Sequence, residues 1–178
     1  NFILTLTDFG LFEINILGRI YIAREGINAQ VSVPTPKWDE FIVILESFTE
    51  FKKMNIKRAV LNSKYSFIKL IVRVKNKIVA DGLNDELFIA PDVGIFLSAT
   101  EFNEAMDDPN SIVVDMRNYY ESEVGHFEEA ICPDAETFKD ALLLVKEMLH
   151  KNKKNKLLLY CTGGIRCEKA TAYLKYYD

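Results

Sequence analysis

The sequence predicts a small α+β domain of the split β-α-β type, followed by an α/β domain whose parallel sheet has helices on both faces. Three observations predict this. In the first half, Asn28 to Val33 and Ser66 to Lys75 alternate with a period of two around one segment of helical period. In the second half, short wholly apolar runs alternate with helical segments, the pattern of strands buried on both faces. Between the halves, Gly82, Asn84-Asp85, Pro91 and Gly94 interrupt residues 81–97, which read as a linker with its boundary near Pro91.

Taken in order, Phe2 to Asp8 and Arg19 to Arg24 read as strands, and Glu25-Gly26 as the turn into Asn28 to Val33. Thr35 serves as a cap with Pro36 at the first helical position, and Trp38, Phe41, Leu45 and Phe48 mark a helix to about Met54. Ser66 to Lys75 is the next strand, with Ile68, Leu70, Val72 and Val74 on the packing face. Lys69, Ile71, Arg73 and Lys75 form the other, mostly cationic face. A split β-α-β fold requires a helix between the first two strands, yet Gly10 to Leu17 leaves two turns at most, so the helix is vestigial or a loop is missing.

Beyond the linker, Ser98 and Glu101 form a capping box for a short helix to Met106. Ile112 to Met116 is a strand, and Phe138, Leu142, Val145 and Leu149 mark a helix with Asp134 as its cap. Leu157 to Tyr160 is a second buried strand, followed by a helix from about Arg166. The predicted division is 1–80, the linker 81–97, and 98–178.

Composition bounds the function. The 178 residues, 49% hydrophobic and 12% aromatic, suffice for real cores. No apolar run approaches the roughly 20 residues of a membrane span, and no secretory signal opens the chain, so the cytoplasm is the expected address. Cys132, Cys161 and Cys167 cannot all pair, and no CxxC or Cys/His cluster offers a metal site. The net charge of −4 argues against a nucleic-acid binder, but it is uneven: residues 1–90 hold 12 Lys/Arg against 10 Asp/Glu, whereas residues 91–178 hold 10 against 16. Phe51 to Lys77 carries nine basic residues and no acid, the one candidate polyanion surface.

The chemistry gathers at Cys161. In an open parallel sheet, ligands bind outside the carboxyl ends of the strands, and Cys161 follows directly on the strand Leu157 to Tyr160. In the loop Thr162-Gly163-Gly164-Ile165-Arg166, the two glycines let backbone N–H groups turn inward, and the helix start near Arg166 adds its positive end. Such a nest, with the Arg166 charge, stabilises a thiolate or persulfide and lowers the thiol pKa. The plainer reading is a buried thiol at the end of an apolar strand, the common fate of free cysteine. The Gly-Gly pair and the arginine favour the reactive one.

Val113-Val114-Asp115-Met116-Arg117-Asn118, Tyr120-Glu121 and Gly125-His126-Phe127-Glu128-Glu129-Ala130 resemble the N-terminal signature of rhodanese domains. Rhodanese-fold phosphatases carry a longer Cys-x5-Arg loop, so the Cys-x4-Arg loop here implies a sulfur-sized or thiolate site. Gly18-Arg19-Ile20-Tyr21-Ile22-Ala23-Arg24-Glu25-Gly26-Ile27-Asn28-Ala29-Gln30, Val79-Ala80-Asp81-Gly82 and Tyr160 to Ala170 extend the match to both domains. They resemble the bacterial tRNA uridine-34 hydroxylase family. The resemblance implies a rhodanese-like second domain and a ferredoxin/acylphosphatase-like first domain. It also implies oxygen-dependent conversion of the wobble uridine to 5-hydroxyuridine, with Cys161 essential, tRNA as partner and molecular oxygen as co-substrate. No flavin, haem or iron pattern is visible, so no cofactor is expected. Family members continue past the active-site helix with another strand and helix, and usually a cysteine-rich tail, so the rhodanese domain here is expected to be incomplete.

Around the loop, Asp115 and Arg117 are expected to position it by hydrogen bonds and an ion pair, with Glu121 as a further partner. His126 is either a proton-transfer group or a satisfied structural histidine, and Cys167 either a resolving thiol or a packing residue. Cys132 has no activating neighbour. In the first domain, Arg24, Asn28, Lys69, Arg73 and Lys75 are the expected tRNA contacts, against the plainer reading of solvated turn and strand charges. A rhodanese-type sulfurtransferase carrying a Cys161 persulfide is the competing function, and a noncatalytic module on the same fold a third. A generic sulfur carrier has no need of a basic appendage, whereas a tRNA enzyme gains affinity from phosphate neutralisation.

Overall fold

The computed structural model describes residues 13–52, 54, 56–59, 66–82, 93–151 and 156–177. It divides into two compact units, Asn1–Ile78 and Val79–Asp178. The strand expected at Phe2 to Asp8 and the boundary at Pro91 lie outside the described residues.

The first unit is a three-stranded sheet of order β2-β1-β3, built from β1 (Leu17–Ala23), β2 (Gly26–Ser32) and β3 (Leu70–Val74). β1 runs antiparallel to β2 and parallel to β3. Ala23 pairs with Gly26, so the turn is Arg24-Glu25, one residue earlier than the sequence suggests. Gly26, with φ +142°, already belongs to the strand. The alternation of β1 buries Ile20 and Ile22, which join Ile14 and Ile16 against Phe41, Leu45, Phe48 and Phe51. Phe41 and Leu45 come from α1 (Trp38–Ser47).

Three local expectations fail here. α1 ends at Ser47 rather than near Met54: Phe48 turns extended and a single 3-10 turn, Thr49–Phe51, follows. The rings of Phe48 and Phe51, both buried, lie 5.4 Å apart across this break. Thr35 makes no capping bond; it begins a 3-10 turn, Thr35–Lys37, after Pro34. Of the four apolar residues assigned to the packing face of β3, only Leu70 and Val72 pack on the core, while Val74 is 56% and Ile68 97% exposed. Ile68 lies before the ladder, in which β1 pairs only with Leu70 to Val74.

The second unit holds a parallel pair, β4 (Ser111–Asp115) and β5 (Lys156–Tyr160), flanked by helices, with one further parallel bridge from Val114 to Ile131. The helices are α2 (Ala99–Met106), α3 (Tyr119–Val124), α4 (Phe138–Lys151) and α5 (Ile165–Tyr177). α2 has the expected capping box: Ser98 Oγ accepts from Glu101 N and Glu101 Oε2 from Ser98 N. At the start of α4 the cap is Thr137, whose Oγ1 accepts from Asp140 N, and not Asp134; Thr137 directly precedes the helix, where its hydroxyl reaches a free first-turn N–H. Val114 and Met116 pack with Leu142 and Val145 of α4 and Ala170, Tyr173 and Leu174 of α5.

Described parts of the 81–97 stretch are docked on this unit. The Asp81 carboxylate is fully buried and pairs with Lys169, Gly94 N donates to Thr171 Oγ1, and Lys175 Nζ donates to Val93 O. No helix among the described residues is long and apolar enough to cross a membrane.

Candidate active site

The carboxyl ends of β4 and β5 lie side by side because Asp115 pairs with Tyr160 in the parallel register. Met116 N donates to Tyr160 O, extending the ladder one residue. The chain leaves β5 directly into Cys161, and α5 begins four residues later at Ile165. The fold therefore sets the cysteine at a strand-to-helix turn.

The turn closes on the sulfur. Gly164 N donates to Cys161 Sγ at 3.1 Å. Gly164 has φ +96°, a region that L side chains rarely adopt, so this glycine is required by conformation. Gly163 is different: a Cβ there would meet nothing within 4 Å. The expected two-glycine nest is thus a one-glycine nest, completed by the Cys167 amide at the first turn of α5.

The Cys161 thiol has its pKa lowered to about 5. The chief cause is the hydrogen bond from the Cys167 thiol; burial opposes it, and the amides of Cys167 and Gly164 and the Arg166 charge add to it. Cys167 moves the opposite way: its pKa is raised by that same bond and by burial, so it keeps its proton and donates it. The pair thus behaves as one thiolate and one thiol donor. Cys132 is free of a disulfide, and its thiol donates to the Ala130 carbonyl at 3.8 Å.

Two carboxylates frame the loop. Asp115, buried, accepts from the Arg117 amide at 2.9 Å, from Arg117 Nη2 at 2.6 Å and from the Tyr160 hydroxyl at 2.8 Å. Burial opposes its ionisation, but these bonds outweigh burial and hold its pKa below the usual range. Tyr160 responds in kind: burial and the bond to Asp115 raise its pKa to about 12, so it remains a donor. Arg117 Nη2 also donates to Gly125 O at 2.6 Å, tying this network to the segment that carries His126.

Glu121 in α3 is the second clamp, and its partner is Arg166 rather than Arg117. Its Oε1 accepts from Arg166 Nη1 at 2.8 Å and its Oε2 from Thr162 Oγ1 at 2.7 Å. Burial again opposes ionisation, but the bonds from Arg166, Thr162 and the Asn118 amide lower its pKa to about 2. One carboxylate therefore holds both ends of the cysteine loop. Arg166 supplies the expected positive charge beside the thiol and is also paired with Glu121.

Cys161 opens onto a cleft of about 570 Å³ lined by Phe102, Asn103, Arg117, His126, Phe127 and Tyr160 among others. The Phe127 ring stacks edge-on to Tyr160 at 4.7 Å and tilts against Phe102 at 5.8 Å, giving the cleft an aromatic wall. His126 Nδ1 donates to Ser122 O at 2.8 Å, which fixes its tautomer.

The structure thus brings together Cys161, Thr162, Gly164, Arg166, Cys167, Asp115, Arg117 and His126 in the second unit. Arg24, Asn28, Lys69, Arg73 and Lys75 all belong to the first unit. Glu25 is more than a solvated turn charge, since its Oε1 accepts from Ile78 N. Sequence reasoning assigned no role to Tyr160, Phe127, Phe102 or Asn103, although Tyr160 and Phe127 lie inside the motifs that carry the resemblance; Phe102 and Asn103 had no such signal. Among the described residues no cluster of His, Cys, Asp and Glu is arranged to hold a metal ion.

Comparison with known proteins fits both units. Residues 8–78 match the UPF0176 acylphosphatase like domain, and residues 98–178 the rhodanese-like domain. A Leptospira interrogans protein named tRNA uridine(34) hydroxylase is 56% identical over 164 residues, covering 92% of this chain and 45% of the relative. Proteins of the same name from Erwinia tasmaniensis and Yersinia pestis are 46% and 44% identical, over 93% and 91% of this chain and 48% and 46% of the relatives. The chain spans about half the length of the curated relatives it matches. With both domain types in the same order and this identity running through each, the chain is similar over nearly its whole length to rhodanese-domain proteins whose curated members are named tRNA uridine(34) hydroxylase.

Proposed function

We propose that this protein hydroxylates the wobble uridine of tRNA to 5-hydroxyuridine, with Cys161 as the nucleophile and molecular oxygen as co-substrate. The observation that carries the reading is the Cys161 thiolate, bonded by Gly164 N at 3.1 Å and opening onto an aromatic-lined cleft. The similarity to proteins named for this activity supports it through both units.

In the proposed chemistry the thiolate adds to C6 of the uracil ring, which makes C5 electron-rich enough to take up oxygen. Elimination of the thiolate then restores the C5–C6 double bond. One oxygen atom ends as the C5 hydroxyl and the other as water, so the overall change draws two electrons and two protons from a reductant such as a thiol. The Glu121 clamp keeps the cysteine loop in place through addition and elimination, and Tyr160 and Phe127 supply flat surfaces for a planar ring.

The first unit serves in tRNA docking, with Arg24, Asn28, Lys69, Arg73 and Lys75 as contacts; Arg24, Lys69, Arg73 and Lys75 are exposed. Work on tRNA puts the protein in the cytoplasm. The same sulfur nest would also suit a persulfide, which keeps sulfur transfer as the competing activity. The test is full-length wild type against Cys161→Ala, incubated with unmodified tRNA in air and under argon, followed by nucleoside analysis. Oxygen-dependent, Cys161-dependent 5-hydroxyuridine is expected. A thiolated nucleoside, or sulfur transfer to a protein acceptor without hydroxylated product, would overturn the reading in favour of a sulfurtransferase.

A further inference from the structure

The outer face of the first unit's sheet has a composition that phosphate binding alone does not explain. On β1, the central strand, Ile20 and Ile22 point into the core, so Arg19 and Tyr21 lie on the opposite face. Register places Asn28 of β2 on one side of Tyr21 and Arg73 of β3 on the other. Directly paired residues across a sheet have Cβ atoms roughly 4.5–5.5 Å apart, so amide, ring and guanidinium form one row. The adjacent row is Gln30, Arg19 and Ile71. Lys69 and Lys75, at the two ends of β3, fall on the same face by alternation, and Lys75 Nζ stands 5.6 Å from the Tyr21 ring centroid. Arg19, Gln30, Lys69, Arg73 and Lys75 are exposed, and the three strands contain no acidic residue.

We propose that Tyr21 is a stacking platform for an unpaired base of an RNA loop, flanked by Asn28 for the base edge and by Arg73 and Lys75 for the neighbouring phosphates. This rests on the reading of the protein as a tRNA-modifying enzyme and specifies how the substrate is held. Charge complementarity selects a polyanion. The central ring and its amide neighbour narrow the choice to a single strand, because paired bases do not present their faces to a protein ring. In the free protein the Lys75 ammonium lies over the Tyr21 ring. An exposed cation–π contact is weaker than base stacking, so Lys75 can leave the ring for a phosphate when a base arrives.

The experiment measures binding of full-length wild type, Tyr21→Phe, Tyr21→Ala and Arg73→Gln to an unmodified anticodon stem-loop across a salt series. Tyr21→Ala should weaken binding about tenfold without changing the salt slope, because it removes a stack and no phosphate contact. Tyr21→Phe should remain within about twofold of wild type, and Arg73→Gln should reduce the slope by about 0.7. Equal affinity of Tyr21→Ala and wild type overturns the platform while leaving the tRNA reading intact. A fully paired duplex of the same length competing as well as the loop overturns it too. If wild type binds no RNA, the platform and the tRNA reading fall together.

Discussion

A thiol with a pKa of about 5 is ionised throughout the neutral range, so Cys161 should be alkylated by iodoacetamide with a pH midpoint near 5. Cys132 and Cys167 should react far more slowly at pH 7. A Cys161 midpoint above 8 would show that the nest does not act on the sulfur. The linkage has a definite sign. The folded pKa lies below that of an ordinary thiol, so the contribution to stability is complete above the ordinary value and is lost as pH falls through about 5. Glu121 follows the same rule in a lower window, because its pKa is lowered to about 2: its contribution is present above the usual carboxylate value and disappears toward pH 2. Glu121→Gln should therefore cost about 1–2 kcal/mol at pH 7, for a partly exposed pair, and the deficit should shrink between pH 4.5 and pH 2. Denaturant titrations of both proteins across that range test it.

At the scale of the element, β1 packs closely against β2 at one position. Gly18 has φ +147°, and a Cβ there would stand 2.2 Å from Gln30 O and 2.7 Å from Val31 Cα, both backbone atoms. Neither can move without breaking the β1–β2 ladder. Gly18→Ala should therefore destabilise the first unit by about 3 kcal/mol, seen as an early transition in thermal unfolding. If its transition matches wild type, the close approach is relieved at no cost. The elements of this unit also show where local patterns mislead. The spacing of Trp38, Phe41, Leu45 and Phe48 suits one continuous helix, but the backbone turns extended at Phe48 and the helix ends at Ser47, with Phe48 and Phe51 both in the core. Alternation in β3 was plain in the sequence, yet pairing begins at Leu70 and leaves Ile68 exposed. Which part of an alternating run is buried depends on the partner strand.

Across the second unit, the buried ion pair between Asp81 and Lys169 links the start of the unit to its final helix, 88 positions away in the chain. The carboxylate is fully buried, and Lys169→Met would leave it without its ammonium partner. The expected loss is about 3–5 kcal/mol, read as a lower unfolding midpoint of this unit. Asp81→Asn combined with Lys169→Met should recover a good part of it. Equal stability of the single and double variants would show that Asp81 is satisfied by other partners.

The sequence by itself determined the order of the two domains, the capping box of α2, the position of Cys161 between β5 and α5, and the resemblance to proteins of this kind. These are local properties: a hydrophobic period, a cap and a contiguous motif are each complete within a few residues. Tertiary structure decided which groups meet. The pairing of Glu121 with Arg166 and Thr162 spans 45 and 41 positions, and Tyr160 reaches Asp115 across 45. The register between β4 and β5 and the packing of α3 create these contacts, and no spacing in the chain encodes them. The same holds for the face shared by Tyr21, Asn28 and Arg73, since a side chain's neighbours across a sheet are set by strand order and register.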